Sequence, residues 1–402
     1  MKPKFNIDQF INEIEITDTN QSERTKAIER EKVVTLYRKL LDKVIEWANK
    51  EGLEISSVKR LGGGFVNAVI LVETVEGKSV VVKTFEDKED ASNNKKAKTI
   101  IDTISTSDEP MLSKVLSWLD ETTIVTEKVE GESIRKKMEK LNSDSISQNE
   151  ANGYLKTLGA MLGNLHERTE QGAKEYDTSL FEHDREKIKS HLSRYIPDPI
   201  SISVSFDSLC EMIDRNTEPD YISYVHGDAH VDQFFCAPNE DVVTIVDYDS
   251  MRQGDPMADL ARTVSSIRAW SKKINMSQTK ESDLVRSLVK GYRETRVEKI
   301  DSEDSEFDYI KVICYEIRLY LIEMPQFNEL RNKIKAKLVN PENQLFSSEK
   351  ALYTQISANP TILESENFSI FTQDELSKMK HMCDVLNRIN ECIEYLIHIE
   401  TD

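Results

Sequence analysis

Residues 221–262 constrain this chain more than any other stretch. Two apolar runs, Ile222–Val225 and Val242–Val246, read as short buried strands. His226-Gly227-Asp228 follows the first run, and Asp247-Tyr248-Asp249 follows the second. Asn239 and Glu240 occupy the polar turn between them, so a hairpin would bring both carboxylate clusters to one end of a small sheet. Acidic side chains gathered at one place repel each other. A divalent cation relieves that repulsion, and hard oxygen ligands suit Mg2+.

A second stretch, residues 53–85, has the period of strands. Three apolar runs are separated by turn signals, and Glu76-Gly77 joins two of them as a hairpin. Between the first two runs lies Leu61-Gly62-Gly63-Gly64-Phe65-Val66-Asn67. Consecutive glycines cost backbone entropy on folding. They are useful where main-chain N–H groups must approach a phosphate closely. Taken alone, the glycines read equally as a flexible hairpin tip. Their position favours the phosphate reading, because the order is strand, glycines, strand, hairpin, and then Val80-Val81-Val82-Lys83. A lysine at the end of such a strand sends a charge out of a buried layer, where kinases use it on the α- and β-phosphates of ATP.

Taken together, these motifs resemble the aminoglycoside phosphotransferase and choline kinase-like family of small-molecule kinases. His226-Gly227-Asp228-Ala229-His230 is similar to that family's catalytic loop, and Val246-Asp247-Tyr248-Asp249 to its metal-binding strand end. Gly254-Asp255-Pro256 with Asp259-Leu260-Ala261 is similar to the helix entry that follows. The resemblance implies an α+β, bilobal protein kinase-like fold. Its N-lobe would be β-rich and its C-lobe mostly helical, with helical additions at both ends. The corresponding division is an N-terminal helical extension at 1–52, a nucleotide-binding N-lobe at 53–127, a catalytic C-lobe core at 128–300 and a C-terminal helical part at 301–402.

The resemblance also implies ATP and Mg2+ as cofactors, with a small-molecule hydroxyl as acceptor: a sugar, an aminoglycoside or an amino alcohol. Asp228 becomes the catalytic base or the carboxylate that orients the hydroxyl. Asp247 becomes the bridging metal ligand. Seven positions after the loop histidine the family has asparagine and this chain has Gln233, a maltokinase-like glutamine that keeps an amide oxygen with a longer reach. Gly62, Gly63, Gly64, Asn67 and Lys83 become contacts to the nucleotide. Backbone groups of the link around Glu127 and Val129 become contacts to adenine. His230 reads as a loop tie or a neighbour of metal or substrate. Asp249 is left with three readings: a neighbour of the metal, a substrate contact or a solvated acid.

One departure stands out. A kinase lysine usually pairs with a glutamate on the next helix. The next helical segment here, 91–104, has lysines, no glutamate, and Asp102 as its one acid, with Glu86 and Glu89 just before it, so either one of these acids substitutes or Lys83 meets only the nucleotide. With Gln233, this motivates a competing reading: a nucleotide-binding pseudokinase acting as an interaction module. A protein kinase is disfavoured, because only eight residues separate Asp247 from Pro256 and leave no activation segment.

Elsewhere, Val33, Tyr37, Leu40, Leu41, Val44 and Trp47 recur at helical spacing within 23–50, predicting an amphipathic helix that packs on the following domain or on a partner. His166, on the apolar face of a helix over 150–168, reads as a structural hydrogen-bonder. Three further apolar stripes start at Leu284, Tyr309 and Met379, and residues 340–372 read as a loop or linker. Tyr315, Glu316, Arg318, Tyr320 and Glu323 are candidates to line the acceptor pocket. The net charge of −19 disfavours nucleic acid and anionic membrane surfaces as partners. Five cysteines without C-x-x-C spacing argue against a disulfide framework or zinc and for a reducing compartment. With no signal peptide or apolar span read in the sequence, a cytoplasmic location is expected.

Overall fold

The computed structural model describes residues 23–62, 68–85, 88–104, 113–170, 211–213, 215, 222–236, 242–296, 305–323 and 372–401. In chain order the elements begin with helix α1 (Glu23–Lys50), strands β1 (Ile55–Gly62), β2 (Ala68–Thr74) and β3 (Ser79–Thr84), and helix α2 (Lys88–Ile104). Strands β4 (Val115–Trp118), β5 (Thr123–Glu127) and β6 (Glu132–Ser133) follow, then helices α3 (Ile134–Asn142) and α4 (Gln148–Arg168). Strands β7 (Ser223–Val225), β8 (Phe234–Cys236) and β9 (Val243–Ile245) come next, then a 3-10 turn (Tyr248–Ser250) and β10 (Arg252–Gly254). Helices α5 (Pro256–Lys273), α6 (Gln278–Thr295), α7 (Ser305–Glu323) and α8 (Gln373–Thr401) complete the set. The expected α+β class is observed. The chain forms two units: residues 1–168, 226–252 and 270–295, and residues 169–225, 253–269 and 296–402.

In the first unit, β1–β5 form a five-stranded antiparallel sheet in the order β1-β2-β3-β5-β4. The two-residue strand period separates its faces. Ile70, Val72, Val80, Val82 and Val125 join one buried cluster with Tyr37, Leu40, Leu41, Val44 and Trp47 of α1. The apolar stripe of α1 therefore caps the sheet of its own chain. The opposite face carries Lys83, paired in register with Ile124, and a smaller cluster of Phe85, Ala91 and Ile124 where α2 packs. Helix α2 begins at Lys88, three residues before the expected start.

Strand pairing around the acidic clusters differs from expectation. Val243–Ile245 pairs antiparallel with Phe234–Cys236, which pairs in turn with Glu132–Ser133. The expected hairpin pairs the run ending at Val246 with the run ending at Val225 instead. The order of runs along the chain suggests that hairpin, but the intervening Phe234–Cys236 takes the place beside β9. Residues 237–241, with Asn239 and Glu240, lie outside the described residues. Helices α4 and α6 cross with their backbones touching. A Cβ on Gly291 would lie 1.9 Å from the Lys156 carbonyl oxygen, and one on Gly159 would lie 2.0 Å from that of Leu288. His166 is fully buried, with Nδ1 3.0 Å from the Tyr292 hydroxyl.

In the second unit, α7 buries Val312, Ile313, Ile317 and Tyr320, and α8 buries Met379, Met382, Leu386, Ile389 and Ile393. Asp255 Oδ1 accepts from the Met257 N–H at 2.8 Å and so caps the start of α5. Its Oδ2 meets the Tyr315 hydroxyl at 3.1 Å and Lys311 Nζ at 3.2 Å. Glu316 pairs with Arg268 and accepts from the Tyr320 hydroxyl at 3.4 Å. Tyr315, Glu316 and Tyr320 thus make interior bonds. The side chains of Arg318 and Glu323 lie outside the described set. Among the described residues no helix is long and apolar enough to cross a membrane.

Candidate functional site

The site lies within the first unit, where the end of β3 meets the turn after β9. Lys83 Nζ forms ion pairs with both Asp247 Oδ1 and Asp249 Oδ2. Three features aim those carboxylates. Asp247 has left-handed backbone, φ 58° and ψ 54°, which ends the extended run of β9 abruptly and starts the 3-10 turn. That turn packs on α2. The Asn94 amide of α2 donates from Nδ2 to Asp249 Oδ1 at 2.7 Å.

On the other side of Asp247, Gln233 Nε2 donates to Asp247 Oδ2 at 3.0 Å and lies 3.1 Å from His230 Nε2. His230 Nε2 lies 3.6 Å from Asp228 Oδ2. A continuous polar chain therefore runs Asp228, His230, Gln233, Asp247, Lys83, Asp249, Asn94. His226 ties the loop to the end of β9. Its Nδ1 accepts from the Asp228 N–H at 3.2 Å, so its Nε2 carries the hydrogen that reaches the Val246 carbonyl at 3.1 Å. Gly227, with φ +81°, lets the loop pass close to the 3-10 turn. A Cβ there would lie 2.3 Å from the Ser250 carbonyl oxygen.

The electrostatics follow from one ammonium shared by two carboxylates. Burial pushes the Lys83 ammonium down, but Asp247 and Asp249 more than offset this and hold it above the ordinary lysine value. Burial also works against the Asp247 carboxylate, yet Lys83 holds it below the usual range. Asp249 goes the other way, raised first by burial and then by its neighbour Asp247.

Could these residues hold a divalent cation? Among the described residues no group of three or more His, Cys, Asp or Glu side chains could hold a metal ion unaided. Mg2+ commonly needs only one or two carboxylates, completing its shell with water and substrate phosphates. Asp247 supplies one. Half a turn of the Gln233 amide would exchange Nε2 for Oε1 beside Asp247 Oδ2, giving two oxygens side by side with His230 Nε2 in reach as donor. The residues present fit a Mg2+ that arrives with phosphates.

Of the other sequence candidates, Gly62 ends β1 opposite Val69. Gly63, Gly64 and Asn67 lie outside the described residues. Glu127 ends β5 opposite Val80. In the link that follows, the Lys128 N–H meets the Ser79 carbonyl at 3.4 Å, while the Val129 N–H has no partner among the described residues. Sequence reasoning missed Asn94. The signal available was the lack of glutamate over residues 91–104.

A family model described as the phosphotransferase enzyme family matches residues 57–284. A second, described as an uncharacterized protein conserved in bacteria, matches residues 211–368. No curated protein sequence matches the chain. Several solved structures are similar to it. A protein from Ralstonia eutropha JMP134, assigned as an aminoglycoside phosphotransferase, is 14% identical with a TM-score of 0.49, covering 87% of this chain and 98% of its own. The ADP-bound aminoglycoside phosphotransferase APH(2'')-Ib is 13% identical with a TM-score of 0.48, covering 74% and 96%. The ethanolamine kinase of Plasmodium vivax is 13% identical with a TM-score of 0.44, covering 78% and 85%.

Proposed function

We propose that this chain, which belongs to the phosphotransferase enzyme family, is a small-molecule kinase that transfers the γ-phosphoryl group of ATP, with Mg2+, to a hydroxyl of a sugar, an aminoglycoside or an amino alcohol. The observation that carries this reading is the polar chain from Asp228 to Lys83. It sets a partly exposed carboxylate, an amide beside a second carboxylate, and a lysine ammonium along one continuous path.

Phosphoryl transfer asks mainly for alignment and charge neutralisation. Asp228 aligns the acceptor hydroxyl and takes its proton. Lys83 releases Asp247 and turns its charge to the α- and β-phosphates. Asp247 and Gln233 would hold a Mg2+, which would supply charge neutralisation to the phosphates. By the family resemblance, backbone groups of Glu127 and Val129 would meet adenine, and Gly62, Gly63, Gly64 and Asn67 would be contacts to the nucleotide. Eight residues between Asp247 and Pro256 leave no protein-docking segment, which supports a small acceptor.

The test is transfer from radiolabelled ATP to a panel of sugars, aminoglycosides and amino alcohols, with Mg2+ or with chelator. Transfer should require the metal. Asp228→Asn should lower kcat by roughly 10²–10⁴-fold, the usual worth of a positioned acid–base group, with ATP still bound. Unchanged turnover in that variant would overturn the assignment. ATP binding without transfer to any hydroxyl would favour the pseudokinase reading.

A further inference from the structure

Helix α2 presents an amide to the site where a kinase helix usually presents a glutamate. Asn94 is 3% exposed. It donates to Asp249 Oδ1, while the other oxygen of that carboxylate, Oδ2, holds Lys83. One carboxylate thus serves two partners, one that orients it and one that it neutralises. The second acid on Lys83, Asp247, is the residue that must turn to the metal, so it is no standing partner. Once Asp247 turns, Asp249 is the acid that stays on Lys83 among the described residues.

We propose that Asp249, oriented by Asn94, is the standing acid partner of Lys83, so that the lysine's counter-charge comes from the turn after β9 and not from α2. Asn94 is then a positioning residue that acts through Asp249. This rests on the phosphotransfer reading above and adds to it the residues that keep Lys83 aimed. Two facts explain the amide. A glutamate at 94 would bring a third carboxylate to one ammonium, with repulsion that a single positive charge cannot offset. An amide donates a hydrogen bond to Asp249 without adding charge. Asn94 Oδ1 is buried and has no hydrogen-bond partner among the described residues. Tolerating such an orphan is the kind of cost found where the other half of a side chain has a task.

The experiment is a double-mutant cycle on Asn94→Leu and Asp249→Asn. Its readouts are the Kd of ATP without metal, and kcat and KM for ATP with Mg2+. Asp249→Asn should weaken ATP binding and raise KM by about 10-fold, and lower kcat by about 10²-fold, as expected when a catalytic group is misplaced by about an ångström. Asn94→Leu should shift all three in the same direction by less. Added to Asp249→Asn it should cost nothing more. Equal effects of Asn94→Leu in both backgrounds would overturn the proposal, as would an Asp249→Asn variant with unaltered Kd and kcat/KM. If the leucine variant fails to fold, Asn94→Ala replaces it in the same cycle. Failure of transfer in the unaltered protein would sink the function reading while the ATP Kd still tests the pairing. Additive effects would sink the pairing while transfer stands.

Discussion

Gly227→Ala tests the site's geometry through two separable costs. The backbone at Gly227 has φ +81°. An L-residue in that region costs about 1–2 kcal/mol. The second cost is spatial, because the new Cβ would lie 2.3 Å from the Ser250 carbonyl oxygen and 2.6 Å from Arg252 Nη1. The arginine end can swing away. The carbonyl belongs to the turn that carries Asp249, and it must retreat by about 1 Å to reach ordinary contact at roughly 3.5 Å. Overpacking of this kind typically costs about 1–3 kcal/mol. Together the two costs predict a loss of about 2–5 kcal/mol. Gly77→Ala isolates the first cost, since Gly77 has φ +83° and a Cβ placed there would meet nothing within 4 Å. Urea unfolding of both variants should show Gly227→Ala losing more than Gly77→Ala by the overpacking cost. Displacing Asp228 relative to Asp247 by about 1 Å should also cost about 10²-fold in kcat, while Gly77→Ala should leave turnover near that of the parent. Equal stability losses in the two variants would refute the close approach of loop and turn.

The helix crossing offers a second paired comparison, in which two effects of opposite sign compete. Gly153→Ala on the open face of α4 has nothing within 4 Å and should stabilise by up to about 1 kcal/mol, the helix-propensity gain. Gly291→Ala gains the same propensity but puts a Cβ 1.9 Å from a backbone carbonyl, so an overpacking cost of about 1–3 kcal/mol should win; urea midpoints on either side of the parent check this. Cys236 and Cys392 are buried, and burial pushes both thiols up to about 12. Both should stay unalkylated by iodoacetamide at pH 8 until denaturant is added, as peptide mass mapping would show.

Much of the first unit is legible in the sequence because its signals are local and periodic. The 3.6-residue stripe from Val33 to Trp47 and the two-residue alternation through Val80, Val82 and Thr84 each name a buried face without knowledge of the partner. What cannot be read is distance across the chain. Phe234-Phe235-Cys236 is too short to announce a strand, so the sequence points β9 to the wrong partner. The acids on Lys83 lie 164 and 166 positions away, beyond any pattern of spacing. A stretch 91–104 without a glutamate signals that the lysine's counter-charge has moved but not where. Gly159, Gly227 and Gly291 look like any other glycine until a second backbone is seen against them.

The left-handed Asp247 explains why these separate departures belong together. A non-glycine residue at φ 58° costs of order 1–3 kcal/mol and persists where its surroundings over-determine it. Here β9 is paired to β8 on one side, and His226 grips the Val246 carbonyl immediately before the strained residue. The Met251 N–H closes the turn on the Tyr248 carbonyl at 3.1 Å, and Asn94 holds Asp249 from α2. The turn brings two carboxylates separated by one residue onto a single ammonium. With Lys83 between them the pair is only one negative charge in excess, so the acids need no metal to coexist. A cation entering this site has to displace an ammonium from Asp247, and the phosphates that would draw Lys83 away are the same groups that would complete the cation's shell. On the function proposed above, metal and nucleotide would therefore bind together more readily than either alone.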